Sequence, residues 1–189
     1  MRAWLVQQGF EPGDLRSEKV FNYRRMTPMA QACYKGELNV CKWLYNHGAA
    51  EDISRASNHG DTPMLYACMK GHLSVCEWLY KVGADEDISR ANNNGSTPMI
   101  LACRGGHLSV CEWLYKVGAE EDISRANNFG NTPMRDACIK GHLSVCEWLV
   151  LNGALNRPTS STAAAAAAAA AEDEDEDCLL YTSDAADET

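Results

Sequence analysis

Cysteine and histidine are the residues best equipped for chemistry in this 189-residue chain, and their spacing decides what chemistry that could be. Eight of the nine cysteines fall in pairs eight residues apart: Cys33/Cys41, Cys68/Cys76, Cys103/Cys111 and Cys138/Cys146. His72, His107 and His142 each stand four residues before the second member of a pair. No Cys-x-x-Cys occurs, whereas zinc sites draw on closely spaced Cys and His sets. Each cysteine instead occupies the same place in a recurring apolar pattern, where a free thiol serves as a small hydrophobe. This reading expects no metal and a reducing, intracellular setting, cytoplasmic or nuclear. Trp43, Trp78, Trp113 and Trp148 sit beside leucine at helical spacing, which assigns them to a core rather than to stacking on nucleic-acid bases. Asp52/Arg55, Asp87/Arg90 and Asp122/Arg125 recur in phase and suit ion pairs between neighbouring units, worth about 0–1 kcal/mol each at a surface. No Gly-rich phosphate loop, nucleophile elbow or paired-carboxylate arrangement is present, so the chain reads as non-enzymatic and free of cofactors.

Charge narrows the function further. The formal net charge is -9, yet residues 172–189 hold nine acids and no Lys or Arg, while residues 1–171 hold 17 charges of each sign. The body is neutral and lacks the basic footprint of a general nucleic-acid binder. No run of eighteen apolar residues exists, so no membrane insertion is expected. Residues 1–10 lack the long apolar core of a secretory signal.

The elements that place these residues repeat. Thr27-Pro28-Met29, Thr62-Pro63-Met64, Thr97-Pro98-Met99 and Thr132-Pro133-Met134 recur every 35 residues, and the run Gly71 to Leu79 returns unchanged from Gly106 and from Gly141. A more divergent version runs from Gly36 to Leu44, and Asp-Ile-Ser-Arg-Ala recurs at 52–56, 87–91 and 122–126. Thr62 suits an N-cap and Pro63 the first helical position. Met64, Ala67 and Cys68 then form the stripe of a short helix, and Gly71 ends it. Val75, Trp78, Leu79 and Val82 mark a second helix, which Gly83 closes. Asn94-Gly95 is a hairpin-type turn signal. Neither helix is long enough to stand alone, so stacking must stabilise both. The expected units are 27–61, 62–96 and 97–131, with a final one at 132–154.

These residues resemble the ankyrin repeat: Thr-Pro-Met stands for the family's Thr-Pro-Leu and Ala-Cys for Ala-Ala, followed by Gly-His, Val, Leu and Gly-Ala in order. The period is 35 rather than 33, and the two extra residues fit near Glu86-Asp87. Ala30, Leu65, Ile100 and Arg135 occupy the place of the histidine that usually follows Thr-Pro-Leu. The resemblance implies a mainly α solenoid of stacked helix-turn-helix units with hairpin loops, in which His72, His107 and His142 bond backbone and link neighbouring units.

The ends depart from the pattern. Trp4-Leu5 with Gly9 mirrors Trp43-Leu44 with Gly48, so residues 1–26 read as a partial or aberrant N-terminal repeat with a longer hairpin at 10–26. The last helix ends Trp148-Leu149-Val150-Leu151, more apolar than a polar capping face would be. Both features suggest a fragment of a larger protein (an enzyme, channel or ubiquitin-ligase component) in which the repeats are a regulatory or targeting arm. Residues 155–177, with nine alanines and alternating acids, read as a disordered tail. Residues 178–188 resemble translated sequencing-adapter sequence, so 178–189 is set aside as a non-native artefact.

The ankyrin resemblance implies protein or peptide binding by hairpin tips and the exposed ends of first helices, which line a concave groove. Carried onto this chain, the tip positions are Asn58, His59 and Asp61, then Asn93, Asn94 and Ser96, then Asn128, Phe129 and Asn131. The helix positions are Tyr34/Lys35, Met69/Lys70, Arg104/Gly105 and Ile139/Lys140, and the first hairpin adds Tyr23, Arg24 and Arg25. Aromatic, Met and Arg anchors within a polar rim are typical of interfaces. The basic helix positions point to an acidic ligand on a monomeric scaffold.

Overall fold

The computed structural model describes residues 1–154 apart from Pro12 and Asn22; the expectations for 155–177 and 178–189 lie outside the described residues. The chain opens with α1 (Arg2–Gln7), which is followed by an antiparallel pair, β1 (Lys19–Phe21) and β2 (Arg24–Met26), with Val20 opposite Arg25. Four helix pairs come next: α2 (Pro28–Lys35) with α3 (Leu38–Leu44), α4 (Pro63–Met69) with α5 (Leu73–Lys81), α6 (Pro98–Arg104) with α7 (Leu108–Lys116), and α8 (Pro133–Ile139) with α9 (Leu143–Leu151). Short 3-10 turns at Ala50–Ser54, Asp85–Ile88 and Glu120–Ile123 follow the second helices of the first three pairs.

The helix starts are built as their residues require. Oγ1 of Thr27, Thr62, Thr97 and Thr132 accepts the amide of Ala30, Leu65, Ile100 and Arg135 at 3.2–3.4 Å, with proline as the first helical residue each time. This satisfies one orphan donor, and proline forgoes another at no cost. At the far end of α4, Gly71 turns left-handed (φ +75°), which brings the amide of His72 back onto the carbonyl of Ala67 at 3.0 Å. That turn starts α5 antiparallel to α4.

The first helices α2, α4, α6 and α8 lie side by side in order, each packed on its own second helix. Equivalent residues make rungs of a continuous core: Met29/Met64/Met99, Ala32/Ala67/Ala102/Ala137, Val40/Val75/Val110/Val145 and Leu44/Leu79/Leu114/Leu149 are all buried. Cysteines fill the gap between paired helices, with Sγ···Sγ separations of 3.7, 3.6, 3.5 and 3.3 Å along the series. Burial pushes the Cys33 and Cys68 thiols well up, which keeps them protonated and unreactive. Tyr45, Tyr80 and Tyr115 meet Trp78, Trp113 and Trp148 of the next pair edge-on, at centroid distances of 5.8, 5.9 and 5.7 Å. The stacked helix pairs form a solenoid. Among the described residues no helix is long and apolar enough to cross a membrane.

Candidate functional site: tips and first helices

Each later tip loop turns on a side chain rather than a strand ladder. The Oδ1 of Asn92 accepts the amides of Asn94 and Ser96 at 3.0 and 3.1 Å, and Asn127 treats Phe129 and Asn131 the same way. Ser57 Oγ does this for His59 and Asp61. Such local bonds mimic a backbone turn. Two backbone bonds then close each loop: Ser57 N to Asp61 O with Gly60 N to Ser57 O, and likewise between Asn92, Gly95 and Ser96 and between Asn127, Gly130 and Asn131.

This geometry sorts the tip positions. Asp61 and Ser96 turn inward and are buried, so neither side chain reaches a partner. Asp61 accepts from Arg24 Nη1 and from Asn92 Nδ2 (2.8 Å), while Ser96 Oγ accepts from Asn127 Nδ2 (3.2 Å). Asn131 is half-buried; His59, Asn94 and Phe129 are exposed. Asn58, Asn93 and Asn128 stitch successive tips, donating Nδ2 to the carbonyls of Tyr23, Asn58 and Asn93 at 3.1–3.3 Å. The His59 ring lies 3.2 Å from the Tyr23 carbonyl.

The first-helix ends sort by charge. Arg24 pairs with buried Asp61 and lies over the Tyr66 ring, and Arg104 pairs with buried Asp136 through Nη2 at 2.7 Å and Nε at 2.9 Å. These two cations are therefore already neutralised. Arg25, Lys35, Lys70 and Lys140 are exposed. Lys70 Nζ lies 4.7 Å from the centroid of the Tyr34 ring, in the range of a cation–π contact, and Met69 beside it is half-buried. The acid within the four first helices, Asp136, is buried, and Lys35, Lys70 and Lys140 are exposed at their ends, with Glu37 an exposed acid just beyond α2. Ile139 and Lys140 are exposed at the far end of the row.

Three features were not in the sequence expectation. Tyr66 is buried under Arg24, where burial raises its hydroxyl pKa, and the Arg104–Asp136 pair joins α6 to α8. These pairings link residues 42 and 32 apart in sequence, one unit on, and a residue-by-residue scan has no signal for them. The recurring Asp/Arg pairs also close differently from expectation. Arg90 reaches Asp87 and Arg125 reaches Asp122 within their own loops, at 3.3 and 3.4 Å, because the 3-10 turn brings residues three apart together. The link across units is Arg90 Nη1 to the Ser54 carbonyl at 3.2 Å, and at the first loop Arg16 reaches across to Asp52 and Glu51.

The histidines sit as the resemblance implies. His72, His107 and His142 place Nε2 at 3.1, 3.2 and 3.1 Å from the carbonyls of Tyr34, Met69 and Arg104, one helix pair back. A family model described as ankyrin repeats (3 copies) matches residues 3–90 and 83–162. No curated protein matches the chain.

Proposed function

The chain belongs to the ankyrin-repeat family, whose repeats are generally protein–protein interaction modules, and from that premise we propose that it is a non-catalytic scaffold holding an acidic, partly apolar peptide along its tips and first-helix ends. The observation that carries this reading is the Lys70–Tyr34 contact, flanked by exposed Lys35 on a row of first helices whose one acid, Asp136, is buried. A carboxylate approaching that cluster meets an ammonium head already held over an aromatic face, while an apolar neighbour finds Met69. Exposed Phe129 and Ile139 extend the apolar contribution toward the far end, and Arg25 and Lys140 extend the charge. His59 and Asn94 at the tips, with Asn131 beside them, supply a polar rim. Arg24 and Arg104 contribute as braced walls rather than as free charges. The non-catalytic part of the reading is supported by the histidine ladder, whose rings bond backbone carbonyls between units.

A random peptide library panned on the full chain tests the proposal. Enriched peptides should be acidic with an aromatic or branched aliphatic residue, and Lys35→Glu/Lys70→Glu should weaken them by about tenfold or more, with binding falling as salt rises. Enrichment of basic or uncharged peptides, or equal binding to the charge-reversed variant, refutes it.

A further inference from the structure

Two places in the first helices change in every unit: Gln31, Tyr66, Leu101 and Asp136 at one, and Tyr34, Met69, Arg104 and Ile139 at the other. The first set is buried throughout, at 6, 1, 4 and 6 % exposure, so no partner reaches it. The second set is half-buried or exposed at the groove. The two sets meet across units, each buried residue reaching back to the groove residue 32 positions earlier. The Tyr66 ring stands at 82° to the Tyr34 ring, with centroids 6.0 Å apart. Asp136 receives Arg104 through both Nη2 and Nε. Leu101 takes the same step from Met69. The pairs match in kind: ring with ring, apolar with apolar, carboxylate with cation.

Each buried member limits what its groove partner can present. Tyr66 belongs to a small apolar cluster with Met26 and Ala30, on which Tyr34 packs. Edge-on ring pairs have a preferred geometry, so Tyr66 holds the Tyr34 ring at a fixed angle. That ring is the surface on which Lys70 rests, with Nζ 4.7 Å from its centroid. Asp136 acts in the opposite sense. Its two-point pair fixes the Arg104 guanidinium and offsets its charge, although that side chain is 39 % exposed. We propose that Tyr66 and Asp136 are specificity-determining positioning residues, which set from one unit on how Tyr34 with Lys70, and Arg104, meet a bound peptide. Tyr66 strengthens the attraction for an acidic ligand and Asp136 tempers it. The effect on ligands rests on the acidic-peptide reading; the poses of Lys70 and Arg104 do not.

The probe is a fluorescently labelled acidic hexapeptide, Glu-Asp-Phe-Glu-Asp-Leu, titrated at low salt into the full chain and its variants. The temperature is one at which every variant keeps the wild-type helical circular-dichroism signal. Tyr66→Leu should weaken binding about threefold, the worth of an exposed cation–π contact, and Tyr66→Phe, which keeps the ring, should restore it. Asp136→Asn should tighten binding about threefold, because the Arg104 charge is no longer offset, and added salt should erase the gain. Opposite signs separate positioning from loss of packing, which would weaken both. A second arm needs no ligand. By nuclear magnetic resonance, the ε-methylene protons of Lys70, shielded by the Tyr34 ring, should move downfield in Tyr66→Leu and stay in place in Tyr66→Phe. The Arg104 Nε proton should exchange with solvent faster in Asp136→Asn. A Lys70 or Arg104 signal that does not move overturns the role of its positioning residue, and affinity changes of the same sign in Tyr66→Leu and Asp136→Asn overturn both roles. A wild type that fails to bind the probe while both signals move overturns the acidic-peptide reading and supports the positioning.

Discussion

Replacing His107 with alanine removes a ring from the seam between α4 and α6, together with its bond to the Met69 carbonyl. The bond contributes about 1 kcal/mol net, and stranding its half-buried acceptor adds to the cost, so His107→Ala should destabilise by about 2 kcal/mol. Gly71→Ala attacks the same contact from the other side. Its φ of +75° costs an L-residue about 1–2 kcal/mol, and the new Cβ would meet the ring at 2.4 Å. Removing the ring vacates that space, so the double variant should cost less than the sum by about 1 kcal/mol or more. Urea unfolding of the wild type, both single variants and the double at pH 7.5 measures this coupling. A pH series adds an independent check. Burial is the main cause that lowers the His107 imidazole below its usual range, with His142, His72 and Lys70 adding repulsion against the pull of the Met69 carbonyl. The unfolded chain thus binds the proton more readily. The neutral ring's contribution is fully present above about pH 6.5 and is lost as pH falls through the folded value. The stability gap between wild type and His107→Ala should therefore narrow on acidification. Strictly additive costs, or a gap that widens in acid, would refute the seam as drawn.

Two further perturbations probe the polar groups beneath the tips. Asp61→Ala strips Arg24 and Asn92 of a fully buried acceptor and should lower stability by about 2 kcal/mol, read as a thermal-midpoint shift, with Asp61→Asn recovering part of it. Burial pushes the Asp87 carboxyl up despite Ser54 and Arg90, so its stabilising contribution is fully present below about pH 3.8 and is lost as pH rises through the folded value. Asp87→Asn should therefore equal or exceed wild type in urea midpoint at pH 7 and lose that advantage near pH 4.

The solenoid was legible because its period is written four times over, and because Thr-Pro and Gly-His encode local geometry that tertiary packing does not override. The histidine links were legible through the ankyrin resemblance. Direction at the tips was harder to read. Comparing units marks where residues vary, but Asp61 and Ser96 vary and still face inward, since the Ser57 and Asn92 turns fold the fourth following residue back into the seam. Free charge was harder still, because Arg24 and Arg104 look like groove cations until their acids are found one unit away. The same limit explains Arg90 and Arg125, which find their acids within the pitch of their own turns, whereas Arg55 reaches across to Glu18 at 2.7 Å.

The run from Gly71 to Leu79 that returns unchanged from Gly106 and Gly141 has a consequence for how the array finds its order. Identical second helices present identical surfaces, so apolar packing alone would let one helix settle in another's place. Among the differences between seams are polar pairs: Arg24 and Asn92 converge on Asp61, Asn127 meets Ser96, and Arg104 meets Asp136. A helix docked one unit out of register would strand a buried carboxylate, at a cost the hydrophobic rungs could not offset locally. The interchangeable core supplies cohesion, and these few mismatched labels supply the address of each unit.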